Sequence, residues 1–107
     1  MEIVTNDHIK CNQALVGLYD VYDPEIGLNV VDLGLIYGIN FNEERKEIEA
    51  VMTLTTQFCP MGESITNDVK QSVGTAFKDY KVNITLTFEP SWSPDFLTPE
   101  GEAFLNG

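Results

Sequence analysis

Chemistry-bearing residues concentrate in Thr55-Thr56-Gln57-Phe58-Cys59-Pro60-Met61-Gly62-Glu63. Behind this stretch, Ile48, Ala50, Met52 and Leu54 alternate with other residues, the period of a half-buried strand. Ahead of it, Ile65, Val69, Val73, Ala76 and Phe77 recur at helical spacing. Proline suits a first helical position, so Pro60 places Cys59 at or beside a helix N-cap. A thiol facing unpaired N–H groups and the positive end of a helix dipole has a lowered pKa. Such a thiolate binds metal or attacks an electrophile.

Other chemistries lack parts. His8, the single histidine, stands at the start of a helix and reads as an exposed polar residue. A cysteine nucleophile needs a base, and nothing in sequence beside Cys59 offers one. Cys11, Cys59 and His8 are too few and too irregularly spaced for a zinc site. No glycine-rich phosphate loop or dinucleotide fingerprint is present. What remains is one thiol with hydroxyls and acids near it: Thr55, Thr56 and Glu63. Asp23, Glu25 and Asp32 join them if the 23–34 loop folds over the same edge. Capping and turn bonding are the alternative role of these acids. One thiolate cannot hold an iron–sulfur cluster, which takes about four cysteinyl ligands or substitutes. A cluster at Cys59 would therefore bridge two subunits or be completed by a partner or a small thiol.

The elements that must position Cys59 follow from pattern. Thr5, Asn6 and Asp7 supply helix-start chemistry for a first helix over about 7–22, with Ile9, Ala14, Leu15, Leu18 and Tyr22 apolar. Cys11 falls near that stripe as a small buried hydrophobe. Asp23-Pro24-Glu25-Ile26-Gly27 stops the helix. A strand is expected over about 34–41, with Leu35, Tyr37, Ile39 and Phe41 on one face, and Gly34 marks a bulge or close backbone approach. A hairpin through 42–46 leads to a strand over about 47–55, and a helix over about 60–78 follows the cysteine. Gly74 weakens that helix or marks a contact. A third strand over about 81–89 puts Val82, Ile84, Leu86 and Phe88 on one face. Pro90-Ser91-Trp92-Ser93-Pro94 leaves the sheet as a stiff loop. Thr98-Pro99-Glu100 opens a short helix over about 99–105.

Strands with one apolar face predict a sheet covered on one side only. The expected fold is an α/β (α+β) two-layer sandwich of order α-β-β-α-β with a short last helix. Its small mixed sheet carries helices on one face, with a right-handed crossover through the second helix. The 107 residues suit one domain spanning the chain. Two cysteines make no disulfide framework and point to a reducing cytoplasm. Met1-Glu2-Ile3-Val4 begins neither a signal peptide nor a spanning segment, so no membrane association is expected. With 17 acidic and 6 basic residues the net charge is -11, which repels phosphate backbones and argues against nucleic acid. An acidic exterior aids solubility or meets a basic protein surface.

Asp23-Pro24-Glu25-Ile26, Val31-Asp32-Leu33-Gly34-Leu35-Ile36-Tyr37, Met52-Thr53-Leu54-Thr55 with Cys59-Pro60, and Pro90-x-Trp92-x-Pro94 occur in that order. Together they resemble the SufT/PaaD-type family of iron–sulfur maturation factors, related to the cytosolic targeting factor of eukaryotes. The resemblance runs from about residue 7 to 105. It implies an iron–sulfur-assembly fold, no catalytic turnover, a transient iron–sulfur cluster, and partners among the assembly machinery and client apo-proteins. The family's reactive cysteine maps onto Cys59, its Asp-Pro-Glu loop onto Asp23, Pro24 and Glu25, and its Asp-Leu-Gly motif onto Asp32, Leu33 and Gly34. Its Pro/Trp loop maps onto Pro90 and Trp92. Two departures are Ser91, where many members have a second proline, and the ending Gly101-Glu102-Ala103-Phe104-Leu105-Asn106-Gly107, which lacks the usual basic residue and Leu-Gly-hydrophobic close. Two competing functions are a pure adaptor that never contacts iron and a thiol enzyme using Cys59. Trp92 is either a partner anchor or the packing residue of the C-terminal loop.

Overall fold

A computed structural model describes residues 3–56 and 61–106. Asp7 caps the first helix, α1 (His8–Leu18), by accepting a hydrogen bond from the Lys10 N–H at 3.0 Å. Cys11, Ala14 and Leu18 form its buried face. Ile9 lies about 200° round the helix from Cys11 and is 76% exposed, so it leaves the expected stripe. The helix ends four residues before the expected boundary at 22. Pro24 biases Asp23 toward extended geometry, and Tyr22 and Asp23 become a strand, with Tyr22 also exposed.

The main sheet has the order β1 (Val4–Thr5), β4 (Ile36–Asn42), β5 (Glu47–Met52) and β6 (Lys81–Leu86). Strand β1 runs parallel to β4, β4 and β5 form an antiparallel hairpin, and β5 and β6 are parallel, with the helix α2 (Gly62–Ala76) between them. A separate pair, β2 (Tyr22–Asp23) and β3 (Leu28–Asn29), makes the 23–34 region a small hairpin rather than a plain loop. β1, β2 and β3 have two residues each, too short to show alternation in sequence.

Helix α2 buries Ile65, Val69 and Val73, four residues apart, against the same core as α1. That core includes Ile39, Phe41, Ile48, Met52 and Val82 from the sheet. The opposite face shows Asn40, Glu49, Val51, Asn83 and Thr85, which are half-buried or exposed. The structure is thus a mixed α/β sandwich with a small mixed sheet and three helices, as expected.

Two strand details differ from the alternation. The register shifts between Ile36 and Gly38, so Tyr37 sits in a bulge and is buried outside the core cluster that takes Ile36, Ile39 and Phe41. β6 stops at Leu86, which is 43% exposed, and β5 stops at Met52, three residues short of the expected end. Beyond Met52 the pairing continues singly, with Thr53 N–H donating to Leu35 and Thr87 N–H to Met52, both at 2.9 Å. The last helix, α3 (Pro99–Asn106), packs through Gly101 on Asp32 and on Leu28 of β3. Among the described residues, no helix is long and apolar enough to cross a membrane.

Candidate functional site

Several chain segments meet at one end of the sheet. They are the exits of β5 and β6, the entrance of β4, and the start of α2 at Gly62, with Met61 as its N-cap. The helix therefore begins two residues after Pro60, and Met61 makes no side-chain cap bond. The expectations for Cys59 and Pro60 lie outside the described residues. Of their neighbours, Thr55 is half-buried, Thr56 is exposed, and Glu63 is exposed in the first turn of α2, where an acid suits the helix dipole.

The Asp-Leu-Gly motif forms one wall at this end. Asp32 N–H donates to Asn29 Oδ1 at 2.8 Å, and Asn29 Nδ2 donates to Asp32 Oδ2 at 2.7 Å. The other carboxylate oxygen accepts from Thr98 Oγ1 at 2.7 Å, and the Asp32 carbonyl accepts from Thr98 N–H at 3.0 Å. Gly34 has φ +76, where only glycine is comfortable, and its missing side chain admits the Phe96 carbonyl. The expectation of a close backbone approach at Gly34 therefore holds.

The Pro/Trp loop packs directly on this wall. Trp92 Nε1 donates to the carbonyl of buried Leu33 at 2.6 Å, and its ring packs against the core. Pro90 is exposed, and its carbonyl accepts from Tyr37 Oη at 2.7 Å. Tyr37 also stacks edge-on against Phe96, with centroids 5.9 Å apart. Burial raises the Tyr37 hydroxyl pKa, against a lowering contact with Thr53. Trp92 thus has the packing role, with its polar edge consumed inside the chain.

Asp23 is 1% exposed and caps its own turn, since Glu25 N–H donates to Asp23 Oδ1 at 2.9 Å. Pro24 and Glu25 are exposed at the tip of the β2–β3 hairpin. Asp23 and Asp32 make the turn hydrogen bonds that were the alternative to a place beside the Cys59 thiol. Among the described residues, no group of three or more His, Cys, Asp or Glu is placed to hold a metal ion. Cys11 is buried in the core, and desolvation raises its thiol pKa, so its environment is that of a packing residue. His8 is exposed at the first position of α1.

Sequence reasoning missed Asn29, Tyr37 and the tie between Thr98 and Asp32. Asn29 and Asp32 are three apart, a spacing at which Asn bonds the backbone ahead of it, and that signal was readable. Tyr37 was hidden by the bulge, and the Thr98–Asp32 tie joins residues 66 apart in sequence.

Residues 13–86 match the family described as iron–sulfur cluster assembly protein. The chain belongs to that family. A curated relative from Porphyromonas gingivalis, an Fe-S protein maturation auxiliary factor, is 38% identical over 91% of this chain and 92% of its own. A second, the Fe-S protein maturation auxiliary factor SufT of Staphylococcus aureus, is 33% identical over 73% of this chain and 88% of its own. The crystal structure of a domain of unknown function, DUF59, from Bacillus anthracis superposes with a TM-score of 0.85. It has 28% identity and covers 92% of this chain and 93% of that one. The family resemblance in the ordered motifs is therefore correct, and the fold is that of DUF59 domains.

Proposed function

We propose that this protein is an iron–sulfur maturation auxiliary factor. It assists delivery of clusters to client apo-proteins in the cytoplasm and turns over no substrate of its own. The observation that carries this reading is the 38% identity, over nearly the whole of both chains, to a maturation auxiliary factor. The relatives' names describe auxiliary factors rather than enzymes, which supports the absence of turnover.

In the finer reading, Cys59 is the thiolate that touches the cluster in transit. It stands three residues before Gly62, the first residue of α2, in a chain whose other cysteine is sealed in the core. The cluster is cargo here. Its remaining ligands come from a second copy, an assembly partner or a small thiol, because one cysteine is too few. The walls built by 29–35 and 90–98 form the rim of the handover surface.

The test is anaerobic reconstitution with iron and sulfide, comparing wild type with Cys59→Ser by absorption and mass. Visible absorption from wild type alone, carried on a dimer, is the expected result. No absorption from either protein removes the simple carrier. In that case a pure adaptor, which brings an assembly protein and its client together, takes its place. In cells, Cys59→Ala leaves the protein folded and abolishes client activity if the thiolate reading is right.

A further inference from the structure

All four polar groups of Asp32 are engaged within the chain, and they join two segments far apart in sequence. The N–H and Oδ2 bond Asn29, while the carbonyl and Oδ1 bond Thr98. Around this node the 90–101 segment touches the 29–35 loop at further points. Trp92 donates to Leu33, the Phe96 carbonyl fills the space over Gly34, and Gly101 presses on Asp32 so closely that a Cβ would lie 2.5 Å from its carbonyl oxygen. One residue past Gly34, the Leu35 carbonyl accepts from Thr53 N–H, where the segment bearing Cys59 leaves β5. On the other side Thr87 N–H holds Met52, three residues before Pro90.

We propose that Asp32 is a positioning residue. It locks the 90–101 segment onto the 29–35 loop and so fixes the two stretches, ending at Leu35 and beginning at Thr87, that flank the end of β5 at Met52 and Thr53. Its carboxylate works as a hydrogen-bond acceptor, not as an acid, a metal ligand or a docking charge. This inference deepens the reading of Cys59 as the working thiol and rests on it.

The geometry supplies a sharp test, because the Asn29–Asp32 pair can be reversed. Asn29→Asp alone sets two carboxylates against each other where a 2.7 Å hydrogen bond stood. Adding Asp32→Asn restores a donor facing an acceptor: Asp at 29 accepts from both the backbone and side-chain N–H groups of Asn at 32. The Asn carbonyl oxygen still accepts from Thr98. Hydrogen exchange of the amides of Leu97, Thr98 and Gly101, the alkylation rate of Cys59 in the native protein, and client maturation are measured for each variant. Asn29→Asp is expected to speed amide exchange roughly tenfold or more. It is also expected to change the Cys59 alkylation rate by at least about threefold, as a wall that opens locally alters access. The reversed pair is expected to return all three readouts close to wild type.

A reversed pair with wild-type exchange and alkylation but no client maturation would show that the carboxylate itself is needed at 32, and would overturn the proposal. Faster exchange with an unchanged Cys59 rate would also overturn it, leaving a merely structural tie. Thr98→Val removes one bond and keeps the Asn29–Asp32 pair, so the question stays open to test if Asn29→Asp fails to fold. Exchange and alkylation involve no iron. If Cys59→Ser keeps full client maturation, the working-thiol reading fails while these two readouts still decide the role of Asp32.

Discussion

Gly34 has φ +76, and a Cβ there would lie 2.2 Å from the Phe96 carbonyl oxygen. Gly34→Ala faces both backbone strain and a collision with main chain that has no rotamer to move. It is expected to lose at least about 2 kcal/mol in urea unfolding. Trp92→Phe keeps most of the ring area but leaves the carbonyl of buried Leu33 without its indole donor. A loss of about 1–2 kcal/mol in the same assay is expected. Cys11 lies in the core with its thiol pKa raised by desolvation, so peptide mapping after brief native alkylation should find Cys11 unmodified and find it modified in denaturant. Each effect comes from a contact between residues far apart in sequence. The sequence marked Gly34 and Trp92 as unusual, but not what they touch.

At the scale of elements, the end of the sheet away from the candidate site is tied by polar and aromatic contacts. Phe41, Phe77 and Tyr80 stack edge-on, and Lys10 of α1 reaches Glu43 of the hairpin loop and Tyr80. Glu43 also accepts from the Tyr80 hydroxyl and lies 3.6 Å from Lys46. Hydrogen bonds from Lys10 and Tyr80 lower the Glu43 pKa from 4.5 to about 2. A folded pKa below the unfolded one gives stability that is present above pH 4.5 and lost as pH falls toward 2. Glu43→Gln is therefore expected to flatten that part of the acid-unfolding curve by circular dichroism, with a small amplitude because the group is exposed to solvent. The periodic elements were readable: Ile65, Val69 and Val73 announce α2, and Ile48, Ala50 and Met52 announce β5. The two-residue strands were not. Their pairing depends on partners such as Gly38 and Ile39 for Val4 and Thr5.

For the whole molecule, 17 acids face 6 basic residues, and both ion pairs among the described residues use Glu43. Most of the surface charge is thus unpaired repulsion of one sign, which salt screens within about 8–10 Å. The melting temperature is expected to rise when sodium chloride is increased at pH 7. A fall would mean that the Lys10–Glu43 contact outweighs the general repulsion. α1, α2 and the sheet share one apolar core, so heat unfolding is expected as one cooperative transition, with coincident far- and near-ultraviolet curves.

Period and order in the chain were enough to determine the layered mixed fold, the one-sided cover of the sheet and the family. These depend on residues a few positions apart, and on motifs whose order alone is diagnostic. The acids at 23 and 32 were visible as candidates, but their use was decided by tertiary structure. Asp23 turns inward to hold its own loop, and Asp32 joins Asn29 to Thr98 across 66 residues. A carboxylate's role is set by which donors surround it, and donors brought from distant segments leave no period in the sequence. The same reason hid the bulge at Tyr37, whose hydroxyl finds Pro90 only after the sheet has formed.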